Sequence, residues 1–241
     1  MRRVGLIGGM SWESSAEYYR LLNVGVRARL GGLASAECLL LSLDFAEIEA
    51  MQSKGRWEDA GRRLADAARS LEAGGADLVL ICTNTMHKVA DLVASAVSVP
   101  LLHLGDTTAD AVRRAGLSTV GLLGTAFTME QEFYRERLAS HGLRVLVPDA
   151  EDRALVHRVI YQELCLGVVR PESRAAYVAV VERLAAAGAE GVVLGCTEIE
   201  LLLGQDDVEV PVFPTTRLHV EAALDAAMAD RPPDPPVAFE A

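Results

Sequence analysis

The feature that most constrains the fold is an internal repeat. The segment Gly75–Thr85 (GADLVLICTNT) is echoed by Gly188–Thr197 (GAEGVVLGCT). Two further pairs recur in the same order, with offsets of 116 and 115 residues: Val4–Gly9 with Val120–Thr125, and Tyr18–Arg20 with Phe133–Arg135. A repeat of this period indicates a duplicated supersecondary unit. We therefore predict an α/β fold of two pseudo-symmetric parallel-sheet domains, with the active site in the cleft between them.

Cys196 stands at the end of a predicted buried strand. Residues 192–195 are small or apolar, and Gly195 ends the run before a predicted helix. Open parallel sheets bind ligands where strands end and helices begin. Unpaired N–H groups at a helix start lower the pKa of a thiol. Cys196 is therefore predicted to have a lowered pKa and to act as a base or nucleophile.

The register of the repeat selects the partner of Cys196. Cys196 lies eight residues after Gly188, and eight residues after Gly75 is Thr83. An alignment on the two Cys-Thr dipeptides would instead select Cys82. Because neighbouring residues at a strand end point to opposite sides, Cys82 and Thr83 cannot both face a substrate. The ungapped register is the simpler one and favours Thr83, with Cys82 packed against the sheet.

Composition excludes several classes of partner. The chain has 241 residues, a net charge of −11 and 51% hydrophobic but only 5% aromatic residues. The negative charge argues against nucleic acid and anionic membranes as partners. No apolar run of membrane-spanning length occurs, so we expect neither a signal peptide nor a transmembrane helix. Four cysteines without metal or disulfide spacing indicate a reducing cytoplasm.

Apolar periodicity and turn residues predict alternating strands and helices. Besides the repeat segments, the predicted strands are residues 3–8, 39–43, 99–102, 119–124, 144–147 and 210–213. The predicted helices span residues 13–30, 57–73, 86–96, 107–115, 129–140, 152–166, 172–187 and 219–229. The proline-rich tail, residues 230–241, is expected to be disordered.

Polar residues that follow the predicted strands are candidate substrate ligands. Asn84, Thr85, Thr197 and Glu198 come directly after the two candidate catalytic positions, where helix starts favour a carboxylate. Ordinary helix capping explains the same residues equally well. Weaker candidates are Met10 and Thr125, in equivalent loops of the two halves, and Gln52. His87 and His219 are interpreted as local hydrogen-bonding residues, and the five scattered histidines predict no metal site.

Three motifs resemble those of the aspartate/glutamate racemase family. They are Gly8–Ser14 (GGMSWES), Cys82–His87 (CTNTMH) and Gly195–Glu198 (GCTE). The likeness extends from Val4 to about Ala227. It implies an enzyme without cofactor that removes the α-proton of an amino acid with one residue and reprotonates the opposite face with another. It also implies that the chain crosses back near its C-terminus, with a first domain of residues 1–103 plus 212–229 and a second of residues 104–211.

The Asn84-Thr85 pair is preceded by Thr83, where the family usually has cysteine. This matches a branch of broad-specificity racemases that resemble Thr/Cys enzymes. Aspartate-specific members carry an arginine after the second strand and a lysine before the glycine matching Gly167. Here the corresponding residues are uncharged or acidic: Phe45–Glu49 with Gln52, and Leu164–Leu166.

The sequence therefore predicts a cofactor-independent amino-acid racemase with Thr83 and Cys196 as catalytic residues. A homodimer is the expected assembly. Two alternatives stay open. Superfamily members with one catalytic cysteine resemble decarboxylases of substituted malonates, and a non-catalytic small-molecule binding protein would leave Cys196 unreactive.

Overall fold

The computed structural model describes residues 1–229 and contains two four-stranded sheets. The predicted disordered tail, residues 230–241, lies outside the described residues. The first sheet has the strand order β2-β1-β3-β4 and the second β6-β5-β7-β8, so the two sheets have the same connectivity. This confirms the predicted α/β class with two parallel sheets. Within residues 1–229, no helix combines the length and apolarity needed to cross a membrane.

The first half of the chain contains four strands and five α-helices. The strands are β1 (Val4–Gly8), β2 (Cys38–Ser42), β3 (Leu78–Ile81) and β4 (Leu101–Leu102). The helices are α1 (Trp12–Leu30), α2 (Phe45–Ser53), α3 (Trp57–Ala73), α4 (Ala90–Ala94) and α5 (Leu104–Arg114), with a 3₁₀ turn at Thr85–Val89.

The second half repeats this alternation. Its strands are β5 (Thr119–Gly124), β6 (Arg144–Leu146), β7 (Gly191–Gly195) and β8 (Val212–Pro214). Its helices are α6 (Ala126–Glu130), α7 (Glu132–Ser140), α8 (Ala150–Gln162), α9 (Pro171–Ala186) and α10 (Thr215–Met228). The 3₁₀ turns are Leu164–Leu166, Thr197–Leu201 and Gln205–Asp207.

The second sheet is buried on both faces, as its continuous apolar strands require. Val192 and Leu194 pack on one side with residues of α8 and α9. Val193, between them, packs on the other side with residues of α5 and α7. Alternate residues of a strand point to opposite faces, so a parallel strand covered by helices on both sides is apolar throughout.

The same pair of hydrogen bonds joins the starts of the two central strands in each half of the chain. Asp77 accepts a hydrogen bond from Arg3 N at 2.6 Å and donates its own N–H to Arg3 O. Glu190 accepts from Thr119 N at 2.8 Å and donates its N–H to Thr119 O. Asp77 and Glu190 are 113 positions apart, as are Gly75 and Gly188. The shared contact supports the ungapped alignment of the repeat.

Two compact units group the residues differently from the predicted domain boundaries. One unit contains Met1–Leu80, Asp91–Leu102 and the described residues from Val220 onward. The other contains Ile81–Ala90 and His103–His219. Residues 81–90, 103 and 212–219, assigned to the first domain from the sequence, therefore group with the second sheet. For residues 212–214 the cause is strand pairing, because β8 bonds to β7.

Several elements differ from the sequence predictions. Helix α2 was not predicted, although Asp44 caps it by accepting from Ala46 N at 3.0 Å. The helix predicted over residues 86–96 is instead a 3₁₀ turn followed by the short α4. The helix predicted over residues 129–140 begins earlier and is interrupted at Gln131, whose extended backbone separates α6 from α7. The last helix begins at Thr215, four residues before its predicted start.

The loop after β1 depends on a glycine at position 9. Gly9 has φ +87°, and a Cβ there would lie 2.1 Å from the carbonyl oxygen of Leu43. We expect Gly9→Ala to lower the free energy of unfolding by about 2–4 kcal/mol, from steric overlap and left-handed strain together. Gly167→Ala is the matched control, because Gly167 is left-handed with φ +70° but has an open environment, and about 1–2 kcal/mol is expected. Urea unfolding measures both, and equal losses would contradict the steric argument.

Candidate active site

Cys196 follows β7 directly and begins the approach to the Thr197–Leu201 turn. Its side chain is half-buried, and its thiol donates a hydrogen bond to Oε2 of Glu198 at 2.9 Å. Glu198 is buried, with 6% of its surface exposed. The structure therefore pairs the candidate catalytic thiol with a buried carboxylate two residues away.

The pKa of Cys196 differs from the sequence prediction. Burial raises the pKa of the thiol well above its ordinary value, and the negative charge of Glu198 raises it further. The backbone N–H of Glu198, at the start of the following turn, lowers the pKa by a smaller amount. Desolvation and a like charge both disfavour the thiolate, and together they exceed the effect of this N–H group. The predicted lowering of the pKa of Cys196 is therefore wrong.

The first two residues after β3, Cys82 and Thr83, differ in how far their side chains are buried. Cys82 is fully buried at 0% exposure, whereas Thr83 is half-buried like Cys196. Strands β3 and β7 begin at Leu78 and Gly191, which are 113 positions apart, the same separation as Thr83 and Cys196. Thr83 thus occupies the position in the first half that Cys196 occupies in the second.

A chain of hydrogen bonds joins the segment after β3 to the end of β7. Nδ2 of Asn84 donates to Oγ1 of Thr215 at 3.0 Å, and the Thr215 hydroxyl donates to the carbonyl of Leu194 at 2.8 Å. Because Thr215 uses its proton on Leu194, it can only accept from Asn84, which fixes the orientation of the amide. Asn84 is buried, and its Oδ1 has no hydrogen-bond partner.

Three threonine hydroxyls form a second polar group. Thr85, Thr125 and Thr128 lie within 3.2–3.4 Å of one another through their Oγ1 atoms. Thr125 also caps α6 by accepting from Thr128 N at 3.3 Å. The structure therefore brings Thr85 and Thr125, predicted separately as ligands, into direct contact.

A further hydrogen bond links Thr197, after β7, to Thr216, after β8. The Thr216 hydroxyl donates to Oγ1 of Thr197 at 3.1 Å, and both side chains are buried. Thr215 and Thr216 follow β8, so adjacent residues reach the segments after β3 and after β7. The sequence suggested no role for this Thr-Thr pair.

His87 holds the backbone of Thr83. Its Nδ1 lies 2.8 Å from the carbonyl oxygen of Thr83, and its Nε2 accepts from Leu104 N at 3.1 Å. Burial lowers the pKa of His87 well below its usual range, and the nearby His103 and His219 lower it further. His87 was interpreted from the sequence as a local hydrogen-bonding residue, and the structure shows that one of its two partners is the candidate catalytic residue.

The remaining predicted ligands, Met10 and Gln52, belong to the other compact unit. Each has 5% of its surface exposed. Met10 lies in the loop after β1, where Gly9 N donates to Oγ of Ser15 at 2.7 Å, and Gln52 lies near the end of α2. Thr83, Asn84, Thr85, Thr125, Cys196, Thr197 and Glu198 all belong to the unit that contains the second sheet.

The functional contacts that sequence reasoning missed come from Thr128, Thr215, Thr216 and His87. Of these four residues, only His87 could have been linked to the site from the sequence, because it stands four residues after Thr83 in the CTNTMH motif. In residues 1–229, no group of three His, Cys, Asp or Glu side chains is arranged to hold a metal ion.

Comparison with known proteins gives similarities along most of the chain. The sequence profile of the family described as Asp/Glu/Hydantoin racemase matches residues 7–223. A Yersinia pestis protein regarded as an Asp/Glu racemase is 52% identical, over 95% of this chain and 100% of that chain, with a TM-score of 0.89. An aspartate racemase homologue from Pyrococcus horikoshii OT3 is 34% identical, over 94% and 99% of the two chains, with a TM-score of 0.85.

A curated relative is more distant. The broad specificity amino-acid racemase RacX of Bacillus subtilis (strain 168) is 22% identical, over 71% of this chain and 74% of that protein.

The contact between Cys196 and Glu198 predicts how the thiol titrates. Glu198→Gln removes the negative charge, so we expect the pKa of Cys196 to fall and iodoacetamide to label it at lower pH than in the wild type. Mass spectrometry of the Cys196 peptide after labelling across a pH series measures the shift. Glu200→Gln is the control, because this carboxylate in the same turn pairs with Arg217 at 3.1 Å. An unchanged profile in Glu198→Gln would contradict the electrostatic account.

Proposed function

The chain belongs to the Asp/Glu/hydantoin racemase family of isomerases, and we propose that it racemises amino acids at Cα with Cys196 and Thr83 on opposite faces of the substrate. The observation that carries the proposal is the equivalence of these two residues. Both are half-buried and lie at equivalent places after corresponding strands, which begin 113 positions apart, as the two residues also are. Proton removal and return on opposite faces needs two such groups held in fixed geometry.

Cys196 is the proposed base for the L enantiomer, an assignment that follows the family resemblance. The thiol is protonated in the free protein, because burial and Glu198 raise its pKa. The Cys196–Glu198 hydrogen bond of 2.9 Å offers a path for the thiol proton to move to the carboxylate as the substrate binds. The substrate ammonium adds a positive charge that favours the thiolate. The thiolate then takes the α-proton.

Thr83 is the proposed donor on the other face. A threonine hydroxyl is a weak acid, and a free alkoxide would be too basic to form at neutral pH. Thr83 is therefore expected to relay a proton, delivering its own to Cα while it accepts one from solvent. The D and L forms have equal free energy in water, so kcat/KM is equal in the two directions even with unequal catalytic groups.

Asn84 is the proposed ligand of the substrate ammonium. Its Oδ1 is a buried acceptor without a partner. The hydrogen bond to Thr215 is made by Nδ2, the other polar atom of the amide, and leaves Oδ1 available. An ammonium group is donor-only and satisfies it. The hydroxyls of Thr85 and Thr125, together with Thr197, are proposed to bind the carboxylate. The assignment of Met10 and Gln52 to substrate binding stays a prediction from the resemblance.

The proposed specificity is broad. The turn Leu164–Leu166 carries no charge, and its Cys165 packs against the same hydrophobic cluster as Cys196. A substrate side chain that reaches this turn meets apolar groups instead of a cation, which disfavours strict selection of aspartate. The name of RacX is consistent with this proposal. Cytoplasmic location and a homodimer stay predictions.

The direct test is proton NMR in D₂O with a panel of L-amino acids, combined with chiral chromatography. The wild type is expected to exchange the α-proton and to form the D enantiomer without added cofactor. Cys196→Ala is expected to lower both rates at least about 100-fold, the scale of general acid–base catalysis. Thr83→Ala is expected to abolish inversion while exchange of the L substrate persists, because Cys196 remains.

Cys82→Ala is the matched control, since Cys82 is a buried thiol next to Thr83. It is expected to retain racemisation within a few-fold. Racemisation that survives Cys196→Ala would overturn the proposal. A wild type that leaves amino acids unchanged but releases CO₂ from substituted malonates would favour the decarboxylase alternative.

A further inference from the structure

His87 lies in a histidine cluster that the proposed proton transfer does not use. Its side chain is 4% exposed, and its ring centroid lies 4.7 Å from that of His103 and 5.8 Å from that of His219. His219 is fully buried. A buried imidazole must satisfy both of its nitrogens, so the partners of His87 define what it does.

The partners of His87 determine its tautomer. The N–H of Leu104 can only donate, so Nε2 of His87 must accept and carries no proton. The proton of the neutral ring is then on Nδ1, which donates it to the carbonyl oxygen of Thr83 at 2.8 Å. A protonated imidazole could not accept from Leu104, so the two bonds exist together only in the neutral Nδ1–H form.

This arrangement ties Thr83 to a rigid element. Leu104 is the first residue of α5 and is fully buried, and His103 caps the same helix by accepting from Gly105 N at 3.0 Å. Thr83 itself lies between the end of β3 and the Thr85–Val89 turn, outside any helix or strand. Its carbonyl is therefore fixed through one imidazole to the first turn of a helix.

We propose that His87 is a positioning residue that fixes the backbone of Thr83 and thereby directs its hydroxyl toward the substrate. The inference rests on the proposed racemase function, in which Thr83 returns the proton. A displacement of about 1 Å at a catalytic group can lower a rate about 100-fold. Loss of the His87 contact should therefore impair proton return by Thr83 while leaving proton removal by Cys196 largely intact.

The test is the ratio of inversion to α-proton exchange for an L substrate in D₂O. In His87→Phe we expect this ratio to fall at least about 10-fold relative to the wild type. In His87→Asn the side-chain amide can donate to Thr83 from nearly the position of Nδ1, and the ratio should recover most of its wild-type value. Loss of packing alone would lower exchange and inversion in parallel and leave the ratio unchanged.

Val112→Ala is the matched control for packing. Val112 is a fully buried apolar residue of α5 in the same cluster as Leu104, so its truncation loosens the helix without removing a hydrogen bond. Its ratio should equal that of the wild type. A ratio unchanged in His87→Phe, or lowered equally in Val112→Ala, would overturn the positioning role. A wild type that neither exchanges nor inverts any amino acid would overturn the racemase function first, and the inference with it.

A second measurement does not require a folded variant or any activity. ¹⁵N NMR of histidine-labelled wild-type protein distinguishes the two neutral tautomers. His87 is expected to show a protonated Nδ1 and an unprotonated Nε2 at neutral pH. A protonated Nε2, or an imidazolium, would show that the contact with Leu104 N is not made and would overturn the proposal.

Discussion

The hydrogen-bond chain from Asn84 through Thr215 to Leu194 is the contact on which the site depends. It ties the segment after β3 to the carboxyl end of β7, and all three residues belong to one compact unit. A buried amide that loses its partner costs about 1–3 kcal/mol, so this link is strongly specified. The same chain leaves Oδ1 of Asn84 buried and unsatisfied. A donor from a bound ligand would remove that penalty, which connects the stability of the fold with recognition.

Electrostatics favours the protonated form of the Cys196 thiol. The thiol of Cys196 and the carboxylate of Glu198 lie next to each other in a poorly hydrated environment, and two negative charges there would repel strongly. The thiol of Cys196 therefore keeps its proton. The hydroxyls of Thr85, Thr125 and Thr128 contact one another, and those of Thr197 and Thr216 form a second contact, so these polar groups add no charge. A ligand that carries both an ammonium and a carboxylate complements this arrangement.

Sequence periodicity predicted the parts of the fold that depend on local pattern. Helix α3 and strand β5 have the predicted bounds, because each has an unbroken apolar pattern and a glycine at its end. The 113-residue register predicted which residue after β3 corresponds to Cys196. The pKa of Cys196 could not be predicted, because it depends on how far the fold removes the thiol and Glu198 from water. The contacts of Thr215 were equally hidden, since they join it to residues that are distant in the chain.

In the proposed racemase, Thr83 and Cys196 face opposite sides of one substrate carbon. A crystal structure of the wild-type protein with an α-methyl amino acid tests this arrangement most directly, because such a ligand has no α-proton and cannot react. Sγ of Cys196 and Oγ1 of Thr83 are expected on opposite faces of Cα, one in contact with the α-methyl group and the other within about 4 Å of Cα, slightly beyond near-attack distance. The ammonium is expected on Oδ1 of Asn84. Both groups on one face of Cα, or the ligand bound away from Cys196, would contradict this arrangement.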